Sequence, residues 1–137
     1  MIVLGIIMTI AAMAIPSYLQ ARDAARYAKA VGDIRTLETE IFMYLGSNGE
    51  LPSTLDDIGR SDLLDPWGNG YVYTNYGEVT KVNQIRKDRF LHPMNSDYDL
   101  FSAGEDGKWK PAITAKDSHD DIIRASDGGY VGLASQF

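Results

Sequence analysis

The chain has 137 residues, is 45% hydrophobic, and carries 13 Lys plus Arg against 19 Asp plus Glu, a formal net charge of -6. That is one domain's worth of chain with enough apolar content to bury a core, and its acidic balance argues against nucleic acid as a partner, because phosphate binding needs a basic surface. It has no cysteine, which excludes disulfides, thiol nucleophiles, zinc–thiolate sites and iron–sulfur clusters, and its two histidines, His92 and His119, are too few for a histidine-rich metal site.

The charge is unevenly placed: every charged residue follows Ala21. Residues 1–15, MIVLGIIMTIAAMAI, are interrupted only by Gly5 and Thr9. As a helix this run is roughly 22 Å long against a bilayer core of about 30 Å, slightly short for a free-standing span. A buried core helix that is apolar on every face needs a large protein around it, and the remaining chain is too small to cover it. A cleaved signal peptide needs a basic segment ahead of the run and a small-residue cleavage site. No basic residue precedes this run, and helical patterning continues behind it. The favoured reading is a membrane or assembly helix whose first few residues precede Met1, since the run has no polar flank to anchor it at an interface.

Pro16 removes one backbone hydrogen bond and is expected to kink the helix. Behind it, Tyr27, Val31, Ile34, Leu37, Ile41 and Tyr44 or Leu45 recur at three-to-four spacing and share one face. Arg22, Asp23, Arg26, Lys29, Asp33, Arg35, Glu38 and Glu40 occupy most of the rest. The stripe reads as core packing against a globular domain. The breaker cluster Gly46-Ser47-Asn48-Gly49 ends a helix of about 45 residues, apolar all round in its first third and amphipathic behind. The division is 1–21 as the hydrophobic half and 22–137 as the globular domain, the latter comprising helix 22–46 and loops with sheet 47–137.

A short helix is expected after Pro52, with Ser53 or Thr54 as N-cap and acids in its first turn. Asp65-Pro66-Trp67-Gly68-Asn69-Gly70 is dense turn chemistry, and Tyr71–Tyr76 has strand propensity, with Tyr71, Tyr73 and Asn75 on one side and Val72 and Thr74 on the other. Residues 78–94 read as a weak strand and an irregular basic loop, and Tyr98–Ser102 as another strand. A Gly-, Asp- and Lys-rich loop spans 103–121, and Ile122–Arg124 and Tyr130–Leu133 read as strand or extended tail. Three short strands make a small antiparallel sheet with one face available to the helix stripe, an α+β arrangement.

No nucleophile-elbow, H-E-x-x-H or P-loop pattern is present, so an enzyme is not indicated. His119 lies beside Asp117, Asp120 and Asp121, as either an acid–base pair or, more simply, a solvated loop histidine. The acidic loop carries more chemistry. Ser102-Ala103-Gly104-Glu105-Asp106-Gly107 is followed by Asp117-Ser118-His119-Asp120-Asp121. Calcium takes six to eight oxygen ligands from carboxylates, carbonyls and water. A Gly-rich turn with acids on a returning segment offers such a cage, and the alternative is an ordinary acidic loop. EF-hand spacing is absent.

Taken together, the hydrophobic run ending Ala14-Ile15-Pro16 and the amphipathic helix behind it resemble the type IV pilin-like proteins. Asp65-Pro66-Trp67-Gly68-Asn69 before Tyr71-Val72-Tyr73 resembles the D-P-W-G-N-x-Y pattern of the major pseudopilins of type II secretion systems, and Ser102–Gly107 with Asp120-Asp121-Ile122 resembles that family's calcium loop. The resemblance implies a pilin-like roll with a long N-terminal helix on a small antiparallel sheet. It implies a subunit cleaved and N-methylated by a prepilin peptidase and held in the bacterial inner membrane by one span, with its domain in the periplasm. Such a subunit assembles with itself, minor pseudopilins and an inner-membrane platform into a pseudopilus that moves folded proteins through an outer-membrane channel. Gly5, Ile6, Ile10, Ala11, Ala14 and Pro16 then line the membrane and filament-core helix, where small residues permit close contact. The resemblance further implies calcium bound by the Ala103 carbonyl and the carboxylates of Asp106, Asp120 and Asp121, stabilising the fold. An alternative within the same superfamily is a type IV pilin of a surface filament, used for adhesion, motility or electron transfer. The chain departs from the family in two ways. The cleavage site and its nearby glutamate do not occur in the numbered sequence, and the stretch from Asp106 to Asp120 carries extra residues, including Trp109, Pro111 and Lys116.

Overall fold

In the computed structural model, which describes residues 1–137 apart from the Val82 side chain, helix α1 (Ile2–Asn48) runs without a break for 47 residues through Pro16. It stops where expected. Gly49 takes a left-handed φ of 80° and donates its N–H to Leu45 O at 2.8 Å, a conformation that costs glycine little. Arg60 closes the next segment against α1 through its fork to Glu40. The short helix after Pro52 is a 3-10 turn, Leu55–Ile58, with the Asp57 carboxylate accepting the Thr54 N–H at 2.9 Å.

Four strands follow: β1 (Val72–Asn75), β2 (Tyr98–Ser102), β3 (Ile122–Ala125) and β4 (Tyr130–Leu133). They form one antiparallel sheet in the order β1-β2-β3-β4. Phe101 sits opposite Val72 on one side and Ile123 on the other. Tyr130–Leu133 is a full strand and not a tail, because Ile122 to Ala125 pair with Leu133 to Tyr130 residue by residue. The weak strand expected within 78–94 does not form. That stretch holds a 3-10 turn at Val82–Gln84 and a single parallel bridge from Lys87 to Ala112.

Two cores result. On one face of the sheet, Tyr71, Tyr98, Leu100 and Ile122 pack with Ala30, Ile34, Leu37 and Ile41 of α1, joined by Tyr73, Val131 and Leu133. This is the predicted stripe over Tyr27 to Ile41, with Ala30 added; Tyr44 and Leu45 stay outside the buried cluster. Each fully buried Ile or Leu contributes roughly 1.5–3 kcal/mol. The other face, on which the sequence reading places nothing, is covered as well. Phe101, Ile123 and Ala125 pack with Met94, Ile113 and Ala134, and with Trp109. The loops at 85–94 and 107–118 therefore form a third layer, and β2 and β3 are buried along their whole lengths.

Candidate functional site

Two regions stand out as candidates: the bare half of α1 and the loops at the end of β2. In the first, Ile2, Val3, Ile7, Met8, Ile10 and Met13 are all more than half exposed. None of the most apolar 18-residue stretch of the helix is buried. Gly5, Ile6, Ile10, Ala14 and Pro16 are exposed, Ala11 is partly covered, and a Cβ at Gly5 would meet nothing within 4 Å. The Thr9 hydroxyl donates back to Gly5 O at 2.7 Å, hiding its one polar group against the helix backbone. An apolar surface of this extent marks a membrane or protein contact.

The second region joins the two motifs that stand 35 residues apart in sequence. Asp65 is buried, and its Oδ1 accepts the N–H groups of Trp67 at 3.0 Å and Asn69 at 2.8 Å, which shapes the D-P-W-G-N turn from within. Its Oδ2 accepts the Ser102 hydroxyl at 2.5 Å. The Asn69 side chain then donates to Gly104 O at 2.9 Å. Asp65 and Asn69 thus tie the turn to the end of β2 and to the acidic loop that follows it.

Within that loop, Asp106 N–H donates to Asp120 Oδ2 at 3.0 Å, so the turn and the returning segment meet. Gly104 has φ 63°, and a Cβ there would strike the Asp120 carbonyl oxygen and lie 2.7 Å from Asp120 Oδ2. Asp106 Oδ1 accepts the Lys108 N–H at 2.7 Å. Asp121 takes a different course. It is fully buried, and its Oδ2 accepts from Arg86 Nη2 at 2.7 Å. Its Oδ1 is buried and has no hydrogen-bond partner among the described residues. Ala103 is buried. His119 is exposed and its Nε2 lies 3.2 Å from Thr114 O, a loop contact and not an acid–base pair.

Arg86 is the residue that the sequence did not single out. It stands in the basic stretch 81–89, whose pattern suggests only a solvated loop, yet it is 1% exposed. Its guanidinium lies 4.2 Å from the centre of the Phe101 ring and 5.8 Å from that of Trp109, and donates to Lys110 O at 3.1 Å. Its backbone N–H donates to Asp99 Oδ2 at 2.6 Å, and Asp99 Oδ1 accepts from Tyr76 and Asn95. Burial pushes the Asp121 carboxyl up to about 6, against the pull of Arg86. Burial likewise raises Asp99, and lowers Arg86 against the pull of Asp121.

Among the described residues, no three Asp, Glu or His side chains are gathered into a metal-holding cluster. The donors nonetheless fit a hard cation in kind. All are oxygens, Asp120 turns both its carbonyl and a carboxylate oxygen to Gly104, and Asp121 Oδ1 is a buried acceptor with nothing to accept.

The type II secretion system core protein G of Escherichia coli (strain K12) is 30% identical to this chain, over 79% of the chain and 78% of the relative. The chain belongs to the type II secretion system core protein G family. The core protein G of Vibrio cholerae serotype O1 is 32% identical over 78% of the chain and 68% of that protein, and the one from Pseudomonas aeruginosa is 28% identical over 79% and 80%. No family model matches the chain, and no solved structure does. The resemblance to major pseudopilins is borne out, as is the helix-on-antiparallel-sheet fold, and the surface-pilin alternative is not favoured.

Proposed function

We propose that this core protein G family member is a filament subunit, the major pseudopilin of a type II secretion system. The observation that carries the reading is the bare apolar half of α1 attached to a domain whose own cores are complete without it. Residues 1–21 hold the subunit in the bacterial inner membrane and then pack against the same helix of neighbouring copies, while 22–137 stand in the periplasm. Gly5, Ala11 and Ala14 admit close helix contact, and Ile6 and Ile10 supply apolar area. The subunit acts structurally, without catalysis. Its partners are other copies of itself, minor pseudopilins and the inner-membrane assembly platform, after processing by a prepilin peptidase.

The cysteine-free chain makes the test clean. With Ile6→Cys or Ile10→Cys as the only thiol, full-length subunits expressed with the secretion machinery are expected to give a ladder of oxidised oligomers. A strictly monomeric pattern under filament-forming expression overturns the reading.

Calcium belongs to the same proposal, held by the Ala103 carbonyl and the carboxylates of Asp106, Asp120 and Asp121. When bound it supplies positive charge that ties the returning segment to the turn. The partnerless Asp121 Oδ1 supports this. Equilibrium dialysis of the full chain in detergent with radioactive calcium is expected to show one site, lost in Asp120→Asn. No binding at millimolar calcium overturns it.

A further inference from the structure

The geometry points to Arg86 as a built-in cation that shares Asp121 with the calcium site, so that the fold stands without calcium and calcium binds only weakly while Arg86 is present. This rests on the calcium reading above and adds to it a residue outside the acidic loop. Arg86 Nη2 lies 2.7 Å from Asp121 Oδ2, and both side chains are almost wholly removed from water, at 2% and 0% exposure. A second cation beside Asp121 would have to share that carboxylate with a guanidinium, and like charges at such range oppose one another strongly where water is excluded.

Arg86 also does what a loop-closing ion does. Its backbone N–H is bound by Asp99 on β2, its ring contact is with Phe101 on β2, and its side chain reaches Lys110 O and Asp121. The Lys87–Ala112 bridge, with Lys87 N–H to Pro111 O at 2.8 Å and Ile113 N–H to Lys87 O at 3.0 Å, continues the same seam. One buried guanidinium therefore links the basic loop, the segment 107–118 and the start of β3. Removing Arg86 leaves Asp121 as a buried carboxylate with neither oxygen partnered by a cation, which only a bound metal or a proton can relieve.

The test uses the full chain in detergent micelles, melted in EGTA and in calcium chloride, with affinity measured by dialysis. Wild type is expected to melt within ~3 °C in the two conditions, whereas Arg86→Met loses ~10 °C or more in EGTA and regains most of it with calcium. Its calcium affinity rises by about tenfold or more. Equal calcium affinity in wild type and Arg86→Met overturns the inference and leaves the calcium site standing. Absence of calcium binding in both overturns the calcium reading itself, and the inference with it. Should Arg86→Met fail to fold in either condition, Asp106→Asn at an exposed position decides. It is expected to abolish calcium binding while shifting the melting temperature by less than ~3 °C. A fall of ~8 °C or more there shows calcium, and not Arg86, to be the required cation.

Discussion

Arg124 Nε, on strand β3, donates to Glu38 Oε1, on helix α1, at 2.8 Å across 86 positions of sequence. Its other nitrogens fork onto Asp97 at 2.8 and 3.0 Å, and its guanidinium lies 4.0 Å from the centre of the Tyr98 ring. Burial works against the charge of Arg124, but the hydrogen bonds to Asp97 and Glu38 outweigh it and raise its pKa above the ordinary value. One side chain thus couples helix, sheet and the loop before β2.

Replacing Arg124 with Met keeps the apolar stem and removes both ion pairs. Because Glu38 and Asp97 keep some solvent access, the loss is expected at the lower end for a broken buried pair, about 3 kcal/mol in urea unfolding. A loss below about 1 kcal/mol would mean that the helix docks by apolar contact alone.

Asp65 is the acceptor around which the D-P-W-G-N turn closes. Asp65→Ala leaves the Trp67 and Asn69 amides and the Ser102 hydroxyl without their partner. The expected cost is about 2–3 kcal/mol, and amide exchange at Asn69 should quicken far more than at Ile34 in α1. Unchanged exchange at Asn69 would show that the turn holds without the carboxylate.

Gly59 and Gly104 separate backbone strain from steric contact. Both have left-handed φ, 69° and 63°, but only Gly104 has atoms crowding the place of a Cβ. Gly59→Ala is expected to cost about 1 kcal/mol, and Gly104→Ala at least about 2 kcal/mol more. Equal losses in the two variants would mean that the Asp120 segment moves aside freely.

Acid should loosen one defined tie. The Ser96 N–H, bound at 2.7 Å, holds the Asp127 carboxyl below its ordinary value of 3.8, with burial opposing and the Ser96 hydroxyl and Arg124 assisting. A carboxyl depressed in the folded state contributes stability above its unfolded pKa and loses it as pH falls through the folded value. The melting temperatures of wild type and Asp127→Asn should therefore differ at neutral pH and converge below about pH 4. A gap that persists to pH 2 would assign the effect to shape and not to charge.

Local periodicity and gross solvent preference are properties of the sequence by itself, and they determined the elements that depend on them. The uncharged start, the stripe Ile34-Leu37-Ile41, the glycine stop at Gly49 and the strand after Asn69 were all legible, because each rests on neighbours within a turn or two of chain. The family was legible as well, since its turn motif is a contiguous run of five residues, Asp65 to Asn69. The second core, the full strand at Tyr130–Leu133 and the burial of Arg86 were decided only by the tertiary structure. Arg86, one cation among Lys81, Lys87 and Arg89, looks like every other solvated charge until Asp121, 35 residues later, is brought to 2.7 Å from it. The same holds for the acidic loop: spacing brings Asp106, Asp120 and Asp121 near one another in the chain, but the fold turns Asp121 inward to a guanidinium, because a buried carboxylate must find a cation and the nearest one lies on another loop.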